Sequence, residues 1–155
     1  MPEACHSHPI VLFDGDCGFC DRTVRLLDRL DTRDRLRFAP LDSQAAVYLF
    51  QKHDVPESID SIVLVHADGS EGRARVESDA AIGVARLLGF PWSLAVVLKI
   101  IPRPIRDAAY RLIARHRYRL FGRVQACGLP SEAQRRKLLQ TRADVEGALA
   151  GHAER

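Results

Sequence analysis

Cys17 and Cys20 are separated only by Gly18 and Phe19, and Asp14 and Asp16 stand just ahead of them. Two cysteines at this spacing can close on each other once one sulfur has reacted, so the pair reads as a dithiol–disulfide switch. The attacking species in such exchange is the thiolate. Position decides which sulfur it is. The apolar run Pro9-Ile10-Val11-Leu12-Phe13 precedes the pair and reads as a strand buried on both faces. An amphipathic pattern follows it, which puts Cys17 at a helix start, where unpaired N–H groups and the positive dipole end favour a thiolate.

Projected on a helix, Phe19, Cys20, Thr23, Val24, Leu26, Leu27 and Leu30 share one arc, and Asp21, Arg22, Arg25, Asp28 and Arg29 fill the other. This predicts an inward Cys20 and a more accessible Cys17. The expected division of labour is that Cys17 attacks and Cys20 resolves. Asp14 and Asp16 oppose the dipole, because a carboxylate beside a thiol disfavours a second negative charge. Asp14 either accepts the proton of Cys20 during resolution or makes turn and cap hydrogen bonds. For Asp16 the second role is expected. A zinc site needs about four ligands. Cys5, His6 and His8 could complete one, but they lie in a short polar leader, and the expectation is that the pair holds no metal.

The elements that must position the pair follow from the rest of the pattern. After the first strand (9–13) and helix (17–30), Leu36, Phe38 and Leu41 alternate as a second strand, with Pro40 marking an end or an edge. Ser43 can cap a helix with Ala46, Leu49, Phe50 and His53 inward. Ile62-Val63-Leu64-Val65 is a third strand, Asp68-Gly69 a turn, and Arg73 to Val76 a fourth strand antiparallel to the third. Asp79 to Leu88 reads as a helix with Ile82, Ala85 and Leu88 inward, stopped by Gly89. The order is a thioredoxin-like β-α-β-α-β-β-α core over 9–90, with a leader over 1–8 and a helical extension over 91–155 packed on the core, all in a single domain.

In that extension Ile105, Ala109, Leu112, Ile113 and Leu120 form a stripe that also takes in His116, expected as a core or helix-end residue. Arg106, Arg111, Arg115, Arg117 and Arg119 read as a solvated face, with a membrane-surface role as the alternative.

At 155 residues and a net charge of +3, the composition is that of a globular chain. The basic residues are not interleaved with an aromatic reading motif, so no nucleic-acid partner is expected. The longest apolar stretch, Leu94 to Ile101, is broken by Lys99 and stopped by Pro102, well short of the ~20 residues of a spanning helix. The start of the chain lacks the pattern of a signal peptide. A cytoplasmic location is expected, where a close cysteine pair is more often catalytic than structural. The oligomeric state is open.

The chain resembles the DCC family of predicted thiol-disulfide oxidoreductases. The resemblance rests on Val11-Leu12-Phe13-Asp14-Gly15-Asp16-Cys17-Gly18-Phe19-Cys20, which holds the family's D-x-x-C-x-x-C pattern as Asp14, Cys17 and Cys20. Supporting segments are Arg37 to Leu41, Ser61 to Val65, Ser78 to Ala81, Pro102 to Asp107, and Tyr118 through Cys127. It implies a thioredoxin-like fold and redox activity on a disulfide-containing protein or a small thiol, without a bound cofactor. Redox members of the wider thioredoxin fold usually carry a cis-proline before the third strand, facing the pair. Here Asp60 or Ser61 stands there, so Ser61 is the candidate substrate contact and a metal-binding side activity stays open. Glu77-Ser78 is similar to the pair with which glutathione transferases hold the γ-glutamyl group, making Ser78 a candidate contact and glutathione a possible co-substrate. Local helix capping is the competing role for Ser78.

Two rival functions remain. Phe13-Asp14-Gly15-Asp16 is similar to the strand-then-D-x-D start of haloacid-dehalogenase-type phosphohydrolases, but Cys17 follows where those continue Gly-Thr. A thioredoxin-like core could also be a non-enzymatic binding module. Cys127 is expected to be an inert small apolar residue, although a tail folded over the core could return it to the pair.

Overall fold

The computed structural model describes residues 8–53, 55, 61–66, 74–122 and 132–150. Strands β1 (Pro9–Phe13), β2 (Arg37–Pro40), β3 (Val63–His66) and β4 (Arg75–Val76) form one sheet in the order β2-β1-β3-β4. β1 pairs parallel with β2 and antiparallel with β3, and β4 pairs antiparallel with β3. The parallel pair needs a crossover, which α1 (Gly18–Leu30) supplies. α2 is Gln44–His53 and α3 is Glu77–Leu88. This is the α/β, thioredoxin-like core expected from the sequence. A 3₁₀ segment (Trp92–Ile100), α4 (Arg103–Phe121), α5 (Glu132–Lys137) and α6 (Arg142–Ala150) follow it.

The apolar run of β1 is buried on both faces because a layer packs on each. Ile10 and Leu12 join Ala45, Ala46, Leu49, Phe50 and, from the C-terminal segments, Leu139 and Val145. Val11 points the other way, into a cluster with Phe38, Leu64, Ala80 and Val84, against which Phe13, Val24 and Leu27 pack. The strand period of two thus sends alternate side chains to opposite layers. Truncating a residue as enclosed as Leu12, fully buried, costs about 2–5 kcal/mol.

The C-terminal segments pack on that core. α4 lies against α1 and α3, and α6 against α2. The Leu139 N–H donates to the Phe38 carbonyl at 2.7 Å, extending the β2 edge. Lys137 reaches Asp28 (3.0 Å), Asp31 and Asp34 (both 3.3 Å), fixing α5 to the turn after α1.

Several local expectations hold. Ser43 Oγ accepts from the Ala46 N–H at 3.2 Å, capping α2. Gly89 ends α3 at φ +82°, a value that favours glycine. β2 is an edge strand ending at Pro40. Others shift. α3 starts at Glu77, two residues earlier than the pattern predicts, with Glu77 itself at φ +51°. In α1, Leu26 is exposed. The Asp68-Gly69 turn, Asp60, Cys5, His6 and Cys127 lie outside the described residues.

α4 departs furthest from its pattern. Ile105, Leu112, Ile113 and Leu120, expected inward, are exposed, as are Ala109 and His116. The inward face instead carries Arg106, Asp107, Tyr110, Ala114, Arg117 and Tyr118. The reason lies in what α4 meets. The Asp14 and Asp79 carboxylates and the Ile62 N–H offer polar partners, so its polar side chains are bonded when turned inward.

Candidate redox site

The cysteine pair sits where β1 gives way to α1. Asp14 leaves the strand, and its Oδ1 accepts the Asp16 N–H at 2.9 Å, a local Asx turn. Asp16 is exposed, in keeping with its expected turn role. Cys17 is the N-cap residue of α1, and its carbonyl accepts the Asp21 N–H at 3.0 Å. The helix start expected for Cys17 is therefore present. Both cysteines are free thiols.

Their exposures reverse the sequence expectation. Cys17 is fully buried and Cys20 is only partly so. A wheel projection of α1 takes no account of the elements packed on it, and α4 is one of them. Its end reaches the start of α1, where the Gly18 N–H donates to the Gly122 carbonyl at 3.3 Å. Cys20, one turn on, faces a cavity between α1, α3 and α4. That cavity holds about 210 Å³ and is lined by Phe13, Phe19, Val24, Ile62, Tyr110 and Ile113, among others, with Arg117 beside the sulfur.

Arg117 corrects a second expectation. Read as part of a solvated face, it is 3% exposed. Its Nη2 pairs with Asp14 Oδ2 at 3.1 Å, and its Nη1 stands 3.8 Å from Cys20 Sγ. Tyr118 donates its hydroxyl proton to the same Asp14 oxygen, and its ring lies 4.8 Å from the Arg117 guanidinium carbon. Periodicity could not single out Arg117 among six arginines on one helix. The only sequence signal was that Tyr118 opens one of the segments shared with the DCC pattern.

The electrostatics separate the two sulfurs. Burial pushes the Cys20 thiol up to about 12, helped by its hydrogen bond to Cys17 and the neighbouring Cys17 and Asp14 charges, while Arg117 pulls the other way. Cys20 thus stays protonated through the physiological range. Burial and its bond to Asp14 likewise push Tyr118 up to about 12.

The remaining candidates, Ser61 and Ser78, lie before β3 and at the start of α3. Ser61 is half-buried next to Ile62, whose N–H bonds to the Tyr110 hydroxyl at 3.0 Å. Ser78 is buried at the start of α3, where its hydroxyl donates to Asp107 Oδ1 and accepts from Arg106 Nη1 at 3.3 Å. Among the described residues, no group of three or more His, Cys, Asp or Glu side chains is placed to hold a metal ion.

A DCC1-like thiol-disulfide oxidoreductase family model matches residues 11–123, spanning Asp14, both cysteines, Arg117 and Tyr118. The chain belongs to that family. It is similar to the uncharacterized protein YuxK of Bacillus subtilis (strain 168), 34% identical over 131 residues, which cover 84% of this chain and 93% of the relative. A chloroplastic DCC family protein of Arabidopsis thaliana is 34% identical over 123 residues, 78% of this chain and 69% of the relative. No solved structure matches the chain. The family supports a redox role. The matched span runs past the thioredoxin-like core to the end of α4, so the helix that brings Arg117 to the pair lies within the family pattern.

Proposed function

We infer that this chain is a thiol–disulfide oxidoreductase in which Cys17 attacks and Cys20 resolves. The observation that carries the assignment is position: Cys17 is the N-cap residue of α1, where free N–H groups favour a thiolate, and Cys20 lies one turn on beside the cavity. The Cys20 thiol is pushed up to about 12 and is hydrogen-bonded to Cys17, so it is a donor to the other sulfur and a poor nucleophile. Exposure alone favours Cys20. Position weighs more, because only a thiolate attacks a disulfide. In this conformation Cys17 is covered, and its attack on a substrate requires the surroundings of the α1 start, including the Gly122 end of α4, to move.

The steps balance as follows. The Cys17 thiolate attacks one sulfur of a substrate disulfide, forming a mixed disulfide and expelling the second substrate sulfur as a thiolate. Cys20 then gives up its proton, which the expelled substrate thiolate takes up, and attacks the Cys17 sulfur. The Cys17–Cys20 disulfide forms and the first substrate thiolate leaves. The dithiol has lost two electrons and the substrate disulfide has gained them. The reverse sequence oxidises a substrate dithiol.

Arg117 acts in the second step, where its guanidinium favours the transient Cys20 thiolate. Asp14 is a positioning residue for Arg117. Its carboxylate already accepts from Asp16, Arg117 and Tyr118, which leaves little capacity to take the Cys20 proton. The apolar cavity at Cys20 suits a substrate with an apolar group beside its sulfur, in a disulfide-containing protein or a small thiol. Glutathione stays a candidate co-substrate through Ser78, and Ser61, next in sequence to the cavity-lining Ile62, a candidate contact.

Trapping tests this. Cys20→Ser should accumulate mixed disulfides through Cys17, and Cys17→Ser should accumulate none. Trapping only in Cys17→Ser reverses the roles. An unchanged redox response in both variants leaves the chain a binding module.

A further inference from the structure

The 3₁₀ segment Trp92–Ile100 has polar side chains only at Ser93 and Lys99, yet none of its residues is buried. Ile100 is 82% exposed, and Leu94 and Val97 are each 59% exposed. Phe90, just before it, and Ile101, at its end, are exposed too. α4 continues the pattern. Projected at about 100° per residue, its outward face divides in two. Ile105, Ala109, Leu112, Ile113 and Leu120 form an apolar edge, and Arg111, Arg115 and Arg119 form a basic edge beside it, all exposed. Single exposed apolar residues are ordinary, but two consecutive segments of them are not.

Charge identifies the occupant. Between Phe90 and Gly122 the exposed charged residues are all basic, Lys99, Arg103, Arg111, Arg115 and Arg119; Arg103 pairs with Asp79 and Asp107 and Arg111 with Glu77, while Arg106, Arg117 and the one acidic residue, Asp107, are turned inward. We propose that this face docks on an anionic phospholipid bilayer, with the apolar edge of α4 and the 3₁₀ segment in the headgroup–acyl boundary and the arginines on lipid phosphates. An amphipathic helix with a basic edge lies in the interface plane in this way, and Trp92 is a residue type that settles there. A second copy would bring two faces of the same sign together. A nucleic acid would use the arginines but leave the apolar edge in water. No described helix is long and apolar enough to cross a membrane, so the docking is peripheral. Ile113 belongs both to the exposed edge and to the lining of the cavity at Cys20, so docking brings the cavity rim to the lipid.

Co-sedimentation of the full chain with vesicles tests this without reference to thiol chemistry. Vesicles of phosphatidylcholine with phosphatidylglycerol should bind the chain, pure phosphatidylcholine should bind it far less, and added salt should release it. Arg115→Gln with Arg119→Gln should lower partitioning about thirty-fold, from the usual contribution of two basic residues near an anionic surface. Ile100→Ser with Leu112→Ser should lower it by at least about ten-fold. Both pairs are exposed, and far-UV circular dichroism should show the wild-type fold. Absence of binding to the anionic vesicles, or equal binding by wild type and both double variants, overturns the proposal. So does a dimer in sedimentation equilibrium that Ile100→Ser with Leu112→Ser dissolves, because the face is then covered by a second copy.

Discussion

Arg117 Nη2 stands 3.1 Å from Asp14 Oδ2, across 103 positions of sequence. The pair joins the end of β1 to α4, and both partners are largely withdrawn from water. Breaking one partner of such a pair leaves the other charge poorly solvated, which costs more than the intact pair contributes. Arg117→Met and Asp14→Asn should each destabilise the fold by about 1–3 kcal/mol, and the double variant by less than their sum. Denaturant unfolding of the four proteins measures this. Strict additivity would mean that the two residues do not interact in solution.

The same geometry predicts a split thiol titration. With Cys20 at about 12, absorbance of the reduced protein at the thiolate band should show its ionisation only in strongly alkaline solution. Cys20→Ser should abolish that step. The Asp14 charge raises the Cys20 value and the Arg117 charge lowers it. Asp14→Asn should therefore move the step to lower pH, and Arg117→Met should move it higher. Arg117→Met should also slow release of substrate from a Cys17 mixed disulfide, by about three-fold for each unit the step moves, because the loss of thiolate is partly offset by its greater nucleophilicity. An Asp14→Asn step at the wild-type position would leave Asp14 a loop residue only.

What was legible in the sequence divides along the same line. Asp14, Cys17 and Cys20 lie in one short stretch, and a strand followed by a helix start positions them locally. β1 to α3 could be read because each buries an apolar face of the expected period. α4 could not be oriented that way. Periodicity assumes that the apolar side turns inward, and here Ile105, Leu112 and Leu120 stay out while Tyr110 and Arg117 turn in. The rule holds only when the neighbours are apolar, and Asp14 and Asp79 are not. The burial of Cys17 escaped because a wheel projection of α1 leaves out contacts distant in sequence, such as the bond of the neighbouring Gly18 to Gly122.

The lock between α3 and α4 distinguishes two roles for Ser78. Its hydroxyl donates to Asp107, and Arg106 bonds both Ser78 (3.3 Å) and Asp79 (2.9 Å). Ser78→Ala should cost about 1–2 kcal/mol in stability and leave KM for glutathione disulfide unchanged. A raised KM at unchanged Tm would make Ser78 a glutathione contact instead. Burial opposes ionisation of Asp79, but the hydrogen bond from Arg106 and the charge of Arg103 outweigh it and hold the carboxyl below its ordinary 3.8. A depressed folded value means that stability is present above the ordinary carboxylate range and lost as pH falls through the folded value. Wild type should therefore lose more stability than Arg106→Gln as pH falls below 3.8.

Gly83 marks where α3 presses on the sheet. A Cβ there would stand 2.7 Å from Leu64 Cδ2 and 3.1 Å from Arg75 Nη1. Leu64 is 1% exposed and pairs with Val11 of β1, so it can yield only by shifting within a packed layer. In a helix, alanine gains up to about 1 kcal/mol over glycine, whereas overpacking costs about 1–3 kcal/mol. Gly83→Ala should accordingly fall between neutral and about 2 kcal/mol destabilised. Gly83→Val keeps little of the propensity gain and adds two methyl groups, so it should be the less stable of the two in urea unfolding. Gly83 does not line the cavity at Cys20, so alkylation of Cys17 and Cys20 in the folded Ala variant should match wild type. Equal stability of the Ala and Val variants would show that Leu64 gives way freely and that the contact between α3 and β3 is not tight.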